Sequence, residues 1–166
     1  DVDAMGAIGR AVWVLGRARD SAGERFFVSA DAGVTWRDVR VPDVMRDVNF
    51  MHRVSASTAY VASSSREGRP ALWRTSDGGD HWVPLQTPSE QHLLRLREFD
   101  TRVEQIATIG NNLVVREHGA VFASAVNPIR WRPLAGFEAV ASEPLGRHIF
   151  ALTDSLHPAL MDKDLR

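Results

Sequence analysis

Residues 26–39 read FFVSADAGVTWRDV and hold Ser29, Asp31, Gly33 and Trp36 in the pattern Ser-x-Asp-x-Gly-x-x-Trp. The pattern returns in TSDGGDHW, where the same four offsets hold Thr75, Asp77, Gly79 and Trp82. The two tryptophans are 46 residues apart. A catalytic constellation normally occurs once in a chain, whereas a structural module recurs. The recurrence therefore indicates a repeat architecture.

A third, eroded copy reads SAVNPIRW at residues 124–131. It keeps Ser124 and Trp131 but has Val126 in place of the aspartate and Pro128 in place of the glycine. The Val126 side chain accepts no hydrogen bond, and proline does not adopt a positive φ. We therefore expect this turn to differ in conformation from the first two.

The sequence around each turn also repeats. Short runs rich in Val, Ile, Phe and Trp alternate with Gly, Pro, Asn and Ser, which predicts four short strands, A to D, in each unit. The predicted strands are near 11–16, 25–30, 35–41, 58–63, 71–75, 81–86, 112–116, 120–124, 130–134 and 148–153. Helix is expected almost nowhere outside 89–98, where Leu93, Leu94 and Leu96 favour a short helical stretch.

Four-stranded antiparallel units of this length in tandem indicate an all-β chain built as a β-propeller. The motif resembles the Asp-box, or bacterial neuraminidase repeat, of sialidases, other glycoside hydrolases, sortilin-type receptors and photosystem II assembly factors. The first two copies match at all four key positions, and the third matches at two. We interpret residues 1–166 as one partial propeller with approximate blades at 3–41, 50–87, 103–134 and 137–166.

The chemistry of the motif predicts a structural turn. An aspartate accepts hydrogen bonds from nearby backbone N–H groups, glycine supplies a positive φ, and tryptophan covers the turn with an apolar ring. The resemblance implies the same structural role, away from the active face. A calcium site at Asp31 is not expected, because SADAGVTW offers too few oxygen ligands. We predict no metal site and no cofactor.

Composition excludes several function classes. The 166 residues are 44% hydrophobic, have a formal net charge of -1 and include no cysteine. This composition predicts a core without disulfides and gives no support for general binding to nucleic acid or to an anionic membrane. No apolar run is long enough to span a bilayer as a helix.

The one candidate binding surface is a concentration of cations on the face formed by the B–C and D–A loops. An arginine fork suits carboxylate or phosphate groups. The alternative is that these arginines are solvated and paired with nearby acids, Asp20, Glu24, Glu67, Glu98 and Glu117. The candidate residues are Arg17, Arg19, Arg66, Arg69, Arg116 and His118.

The favoured function is a non-catalytic propeller that presents this loop face to a protein or glycan. The alternative is a glycoside hydrolase, sialidase-like or another type, with catalytic residues partly outside this chain. A sialidase needs a tyrosine nucleophile, and the one tyrosine, Tyr60, lies within a predicted strand. Asp20 and Glu67 could converge across neighbouring blades, but no catalytic residue is assigned. The resemblance implies a periplasmic or extracellular location.

The repeat count predicts an incomplete ring. The chain supplies three units and most of a fourth, whose strand D is missing after PALMD, and an exposed strand edge is avoided in folded proteins. The outer face of the first unit, around Val12 and Val14, also lacks a neighbour. We expect either a fragment of a longer propeller, which is favoured, or association with a second chain, and not a well-behaved monomer.

Overall fold

The computed structural model describes residues 2–17, 24–42, 45, 48–65, 71–92, 101–142, 149–153 and 158–161. The first unit is a four-stranded antiparallel sheet in chain order. Its strands are β1 (Val2–Ile8), β2 (Ala11–Arg17), β3 (Glu24–Ser29) and β4 (Arg37–Val39).

The next two units repeat this antiparallel arrangement. The second unit contains β5 (Val48–Arg53), β6 (Ala59–Ser65), β7 (Leu72–Thr75) and β8 (Val83–Leu85). A one-turn helix, α1 (Pro88–His92), follows it. The third unit contains β9 (Thr101–Ile109), β10 (Asn112–Glu117), β11 (Ala120–Ala125) and β12 (Arg132–Pro133).

The fourth unit shows three strands among the described residues, in the order β13–β14–β15. They are β13 (Phe137–Ser142), β14 (Ile149–Thr153) and β15 (Pro158–Met161). The second and third units are also joined directly, because the end of β6 pairs with the start of β9 at Ser64–Arg102 and Ser65–Thr101.

The predicted all-β class and the four-stranded antiparallel units are confirmed. The D strands β4, β8 and β12 are shorter than predicted. They are edge strands of their units, and two of them contain a proline, Pro84 or Pro133, which has no N–H to donate to a ladder. The helix α1 overlaps the start of the predicted 89–98 stretch, whose remaining residues lie outside the described ranges.

The apolar core lies between the units. In β6 the alternate residues Ala59 and Val61 pack against the cluster of the first unit, while Tyr60 and Ala62 pack against that of the third. Successive side chains of a strand point to opposite faces, so this alternation buries both faces of the sheet. The units are therefore stacked face to face.

The turn of the second unit inserts into the first unit at Gly79. This glycine has a φ of 95°, and a Cβ there would lie 2.9 Å from Phe26 Cε1 and 3.3 Å from Val39 Cγ1. The Phe26 ring contacts Trp13 and Trp82 edge-on, at centroid distances of 5.2 and 5.5 Å. Position 79 therefore needs glycine both for its backbone conformation and for the space it leaves.

We expect Gly79→Ala to lower the free energy of unfolding by about 2 to 4 kcal/mol, since it adds backbone strain to overpacking. The matched control is Gly110→Ala, which also has a positive φ, of 55°, but has no atom within 4 Å of its added Cβ. That variant should lose only about 1 kcal/mol, from the backbone term. Urea unfolding checks both values, and equal losses would show that the contact with Phe26 is unimportant.

Candidate functional site

The first repeated turn is closed by hydrogen bonds from its own residues. Gly33 N–H donates to Ser29 Oγ (2.8 Å), and Ser29 Oγ donates to Asp31 Oδ1 (2.8 Å). Asp31 also accepts from the Thr35 backbone N–H (2.9 Å) and from the Thr35 hydroxyl (2.6 Å). The Trp36 indole N–H donates back to Gly33 O at 2.9 Å. The four residues of the sequence pattern therefore belong to one network.

The second turn repeats the hydrogen bonds of the hydroxyl and of the carboxylate with different side chains. Gly79 N–H donates to Thr75 Oγ1 (3.0 Å), and Thr75 Oγ1 donates to Asp77 Oδ1 (2.9 Å). The His81 backbone N–H donates to Asp77 Oδ1 (3.0 Å), and His81 Nδ1 lies 2.7 Å from Asp77 Oδ2. His81 is exposed at the turn and occupies the position of Thr35.

Hydrogen bonding holds both aspartates in the charged form. The Thr35 hydroxyl, followed by the Thr35 backbone N–H, lowers the pKa of Asp31 from 3.8 to about 2. The backbone N–H of His81, followed by its side chain, lowers the pKa of Asp77 from 3.8 to about 2. Both carboxylates are thus committed to bonds within their own turns.

The third turn has a different conformation. The Asn127–Pro128 peptide bond is cis. Ser124 Oγ accepts a hydrogen bond from Arg130 N–H and donates one to Ala125 O at 2.8 Å. The serine hydroxyl therefore still organises the turn after the aspartate and glycine have been replaced.

Each C–D turn is tied to the A–B turn of its own unit. Ala32 N–H donates to Arg10 O (2.7 Å) in the first unit, and Gly78 N–H donates to Ser57 O (2.9 Å) in the second. In the third unit, Val126 N–H donates to Asn111 O at 2.9 Å. These bonds place both kinds of turn at one end of the sheets, so the B–C and D–A connections lie at the other end.

The tryptophans of the second and third turns each contact the unit that precedes their own. The sequence pattern does not predict this contact. Trp131 is only 4% exposed, and its indole N–H donates to Gln86 O at 2.7 Å. Its backbone N–H donates to Gln91 Oε1 at 2.9 Å. Trp82 packs on Phe26 of the first unit. The sequence pattern predicts only that each ring covers its own turn.

The structure places two candidate cation side chains at the opposite end. Arg116 is the penultimate residue of β10, and exposed His118 follows with a φ of 50° in the tight turn before β11. Arg17 ends β2, and only its backbone is described. Arg19, Arg66 and Arg69 lie outside the described residues, as do Asp20 and Glu67.

The acid partner of Arg116 differs from the one expected. Arg116 pairs with Glu104 of β9, and Arg25 pairs with Asp38 of β4. The expected partner Glu117 is instead buried, and its Oε2 accepts a hydrogen bond from Ser89 N–H at 2.8 Å. Both pairs therefore join neighbouring strands rather than residues of one loop.

Glu117 also approaches the acid of a helix cap. Thr87 N–H donates to Glu90 Oε2 (2.8 Å) and Glu90 N–H donates to Thr87 Oγ1 (3.3 Å), which is a capping box. Burial raises the pKa of Glu90, and the Glu117 charge contributes to the same shift. The contacts of Ser89 and Gln91 fasten this connection to the third unit.

A tyrosine and a histidine that could serve in catalysis pack inside the described part of the chain. Tyr60 is buried in β6, and burial raises the pKa of its hydroxyl. His52 lies 2.9 Å from Thr108 Oγ1, and burial lowers the pKa of its ring to about 4. Within the described residues, no three His, Asp or Glu side chains converge as metal ligands, and no helix is long and apolar enough to cross a membrane.

Comparisons with family models and with curated protein sequences give no match. Solved structures do match. YCF48 bound to D1 peptide has a TM-score of 0.57 at 13% identity, and YCF48 from Cyanidioschyzon merolae has 0.58 at 14%. The GH74 xyloglucanase from Xanthomonas campestris has 0.57 at 19%. YCF48 and the GH74 enzymes are β-propellers.

The chain has a β-propeller fold. The matches cover 98%, 93% and 92% of this propeller chain, in the order given, so the likeness extends over nearly all of it. The chain spans 49% and 52% of the two YCF48 chains and 26% of the xyloglucanase. The likeness shows the fold alone, and assignment of the turns to the Asp-box stays a prediction.

We expect Asp77→Asn to destabilise the propeller at pH 7 and to lose this effect in acid. Because the folded pKa is depressed, the stabilisation from Asp77 is present above pH 3.8 and is lost as the pH falls through about 2. Urea midpoints of the wild type and the variant should therefore differ at pH 7 and converge near pH 2. Equal midpoints at pH 7 would show that the charge of Asp77 does not stabilise the turn.

Proposed function

We propose that this chain is part of a non-catalytic binding propeller whose B–C and D–A face recognises an acidic protein segment. The candidate contacts are Arg116 and His118, which lie at this end, together with the cations predicted from the sequence for the same face: Arg17, Arg19, Arg66 and Arg69. The observation that carries the proposal is the position of Arg116 and His118 at the end of the sheets opposite to the repeated turns.

The described part of this face is rigidly held. Arg116 is supported by its pair with Glu104, and the adjacent connection is anchored through Glu117 and α1. The pair occupies Nη1 of Arg116 and restrains its side chain, so the arginine loses less side-chain entropy when it binds a further acidic group. The YCF48 structure with its D1 peptide supports a protein partner, since it shows a propeller of similar fold with a bound peptide.

The proposal also includes the other features implied by the Asp-box resemblance. A glycan is the second class of partner, and the periplasm or the extracellular space is the proposed location. Further blades, from the remainder of a longer chain or from a second chain, complete the ring.

The alternative function is a glycoside hydrolase, supported by the likeness to the GH74 xyloglucanase. Its catalytic residues lie partly outside this chain. Incubation with xyloglucan followed by measurement of new reducing ends separates the two functions, because turnover supports the hydrolase and binding without turnover supports the proposed scaffold.

The binding proposal is tested with a fluorescein-labelled oligoglutamate peptide and fluorescence anisotropy. The combined variant Arg17→Ala, Arg66→Ala and Arg116→Ala should bind about tenfold more weakly or worse, since several charge-assisted bonds are lost. Binding to the wild type should also weaken as salt is added. Unfolding stability should fall by about 1 kcal/mol or less, chiefly through the partly buried pair of Arg116 with Glu104.

The matched control removes the same number of charges from other exposed sites. It combines Arg10→Ala at an A–B turn, Arg130→Ala at a C–D turn and Arg132→Ala in β12, and it should keep the wild-type affinity. If the two triple variants bind equally, the cation face does not determine recognition.

A further inference from the structure

The second repeated turn contains a pair of neighbouring residues that is open to covalent change. Asp77 is followed by Gly78, and this is the one Asp–Gly step in the sequence, which has no Asn–Gly step. In an Asp–Gly step the glycine nitrogen attacks the aspartate carboxyl group more readily than in other steps, because glycine has no Cβ to hinder the approach. Asp77 is exposed, so water reaches the site.

The reaction needs no reagent other than water. The Gly78 nitrogen loses its proton and bonds to Cγ of the neutral Asp77 carboxyl group, which expels a hydroxyl oxygen as water and closes a succinimide ring. A second water molecule then opens the ring. Attack at Cγ restores aspartate, whereas attack at the backbone carbonyl carbon leaves isoaspartate, in which the main chain runs through Cβ and Cγ.

We propose that the Asp77–Gly78 step is a modification site of this chain, at which aspartate isomerises to isoaspartate when the second turn opens, and that the closed turn suppresses the reaction. The observation that carries the proposal is that both reacting groups are engaged in hydrogen bonds within the closed turn. The proposal is independent of the proposed binding function.

The attacking nitrogen is held by the A–B turn of the same unit. Gly78 N–H donates to Ser57 O at 2.9 Å. The nitrogen must lose this hydrogen bond and its proton before it can form the ring. Separation of the two turns therefore precedes the attack.

The carboxyl group is held in its unreactive, charged form. Asp77 Oδ1 accepts hydrogen bonds from Thr75 Oγ1 (2.9 Å) and from the His81 N–H (3.0 Å), and Oδ2 lies 2.7 Å from His81 Nδ1. These bonds, led by that of the His81 backbone N–H, lower the pKa of Asp77 from 3.8 to about 2. The reactive neutral fraction at pH 7 is therefore smaller than in the unfolded chain by about one to two orders of magnitude.

The first turn shows that the fold does not require glycine at this position. Asp31 is followed by Ala32, which has a φ of 65° and donates its N–H to Arg10 O at 2.7 Å. Gly78 has a similar φ of 79°. A Cβ added at Gly78 would lie 3.7 Å from Arg37 Nη2, which is an ordinary contact. Gly78→Ala therefore removes the Asp–Gly step and keeps the form of the turn.

Isomerisation would disturb the junction between the first two units. It lengthens the main chain by one methylene group and moves the carboxylate onto Cα. The next residue, Gly79, packs so closely that a Cβ there would lie 2.9 Å from Phe26 Cε1. Arg37 Nη2 of the first unit also donates to Gly78 O at 3.4 Å. A lengthened main chain cannot keep these contacts, so the modified chain should have a lower urea midpoint.

The accumulation of isoaspartate in the 166-residue chain tests the proposal. The folded chain and the chain unfolded in guanidinium chloride are incubated at pH 7 and digested with trypsin. Isoaspartate is then measured in each peptide as methyl groups transferred from labelled S-adenosylmethionine by an isoaspartyl methyltransferase. The peptide of residues 75–95 should gain isoaspartate about tenfold faster or more in the unfolded chain. The peptide of residues 26–37 carries Asp31–Ala32 and is the internal reference, which should gain little in either state.

Two variants separate the role of the glycine from that of the turn. In the unfolded chain, Gly78→Ala should reduce isoaspartate in residues 75–95 to the level of the reference peptide. His81→Ala removes the imidazole partner of Asp77 and should raise the rate in the folded chain several-fold, and near-UV circular dichroism establishes that this variant is folded.

Two results with the wild-type chain would overturn the proposal, and neither depends on a variant that folds. Equal rates in the folded and unfolded chains would show that the closed turn does not suppress the reaction. Equal accumulation in the two peptides of the unfolded chain would show that Asp77–Gly78 is not a modification site.

Discussion

The structure depends on burial of both faces of each inner strand. Ala59 and Val61 of β6 pack towards the first unit, while Tyr60 and Ala62 pack towards the third. A four-stranded sheet that is apolar on both faces requires a neighbour on each side, because each buried methylene contributes about 0.8 kcal/mol. Stacking of the units therefore follows from the alternation within a single strand.

The repeated turns fix how each unit sits against the unit before it. Apolar burial is non-directional, so by itself it does not fix the position of one unit against the next. The contacts of Trp82 and Trp131 with the preceding unit fix that position. Asp31 and Asp77 accept hydrogen bonds from donors of their own turns, so their carboxylates close those turns. The turns occupy one end of the sheets, and the opposite end is the proposed recognition face.

Much of the fold could be predicted from the sequence because strands B and C combine β-branched and aromatic residues with clear turn signals. The A strands of the first three units were harder to place. The strands β1 and β5 contain Gly6 and Arg53, whose contacts come from tertiary structure. Arg53 donates to Ala11 O at 2.6 Å and lies 4.3 Å from the Trp13 ring centroid. Such partners meet only in the folded chain, as do Arg116 and Glu104, so a local sequence pattern does not predict them.

The central claim is that the tryptophan of a repeated turn joins its unit to the preceding one, as Trp131 does. Urea unfolding of two variants, Trp131→Phe and Trp36→Phe, tests this claim most directly. Trp131→Phe shrinks a buried ring and removes its hydrogen bond to Gln86 O, and it should cost about 1 to 3 kcal/mol. Trp36→Phe removes a hydrogen bond within an exposed turn and should cost about 0.5 kcal/mol or less. Equal losses in the two variants would contradict the account, because the tryptophan would then serve only its own turn.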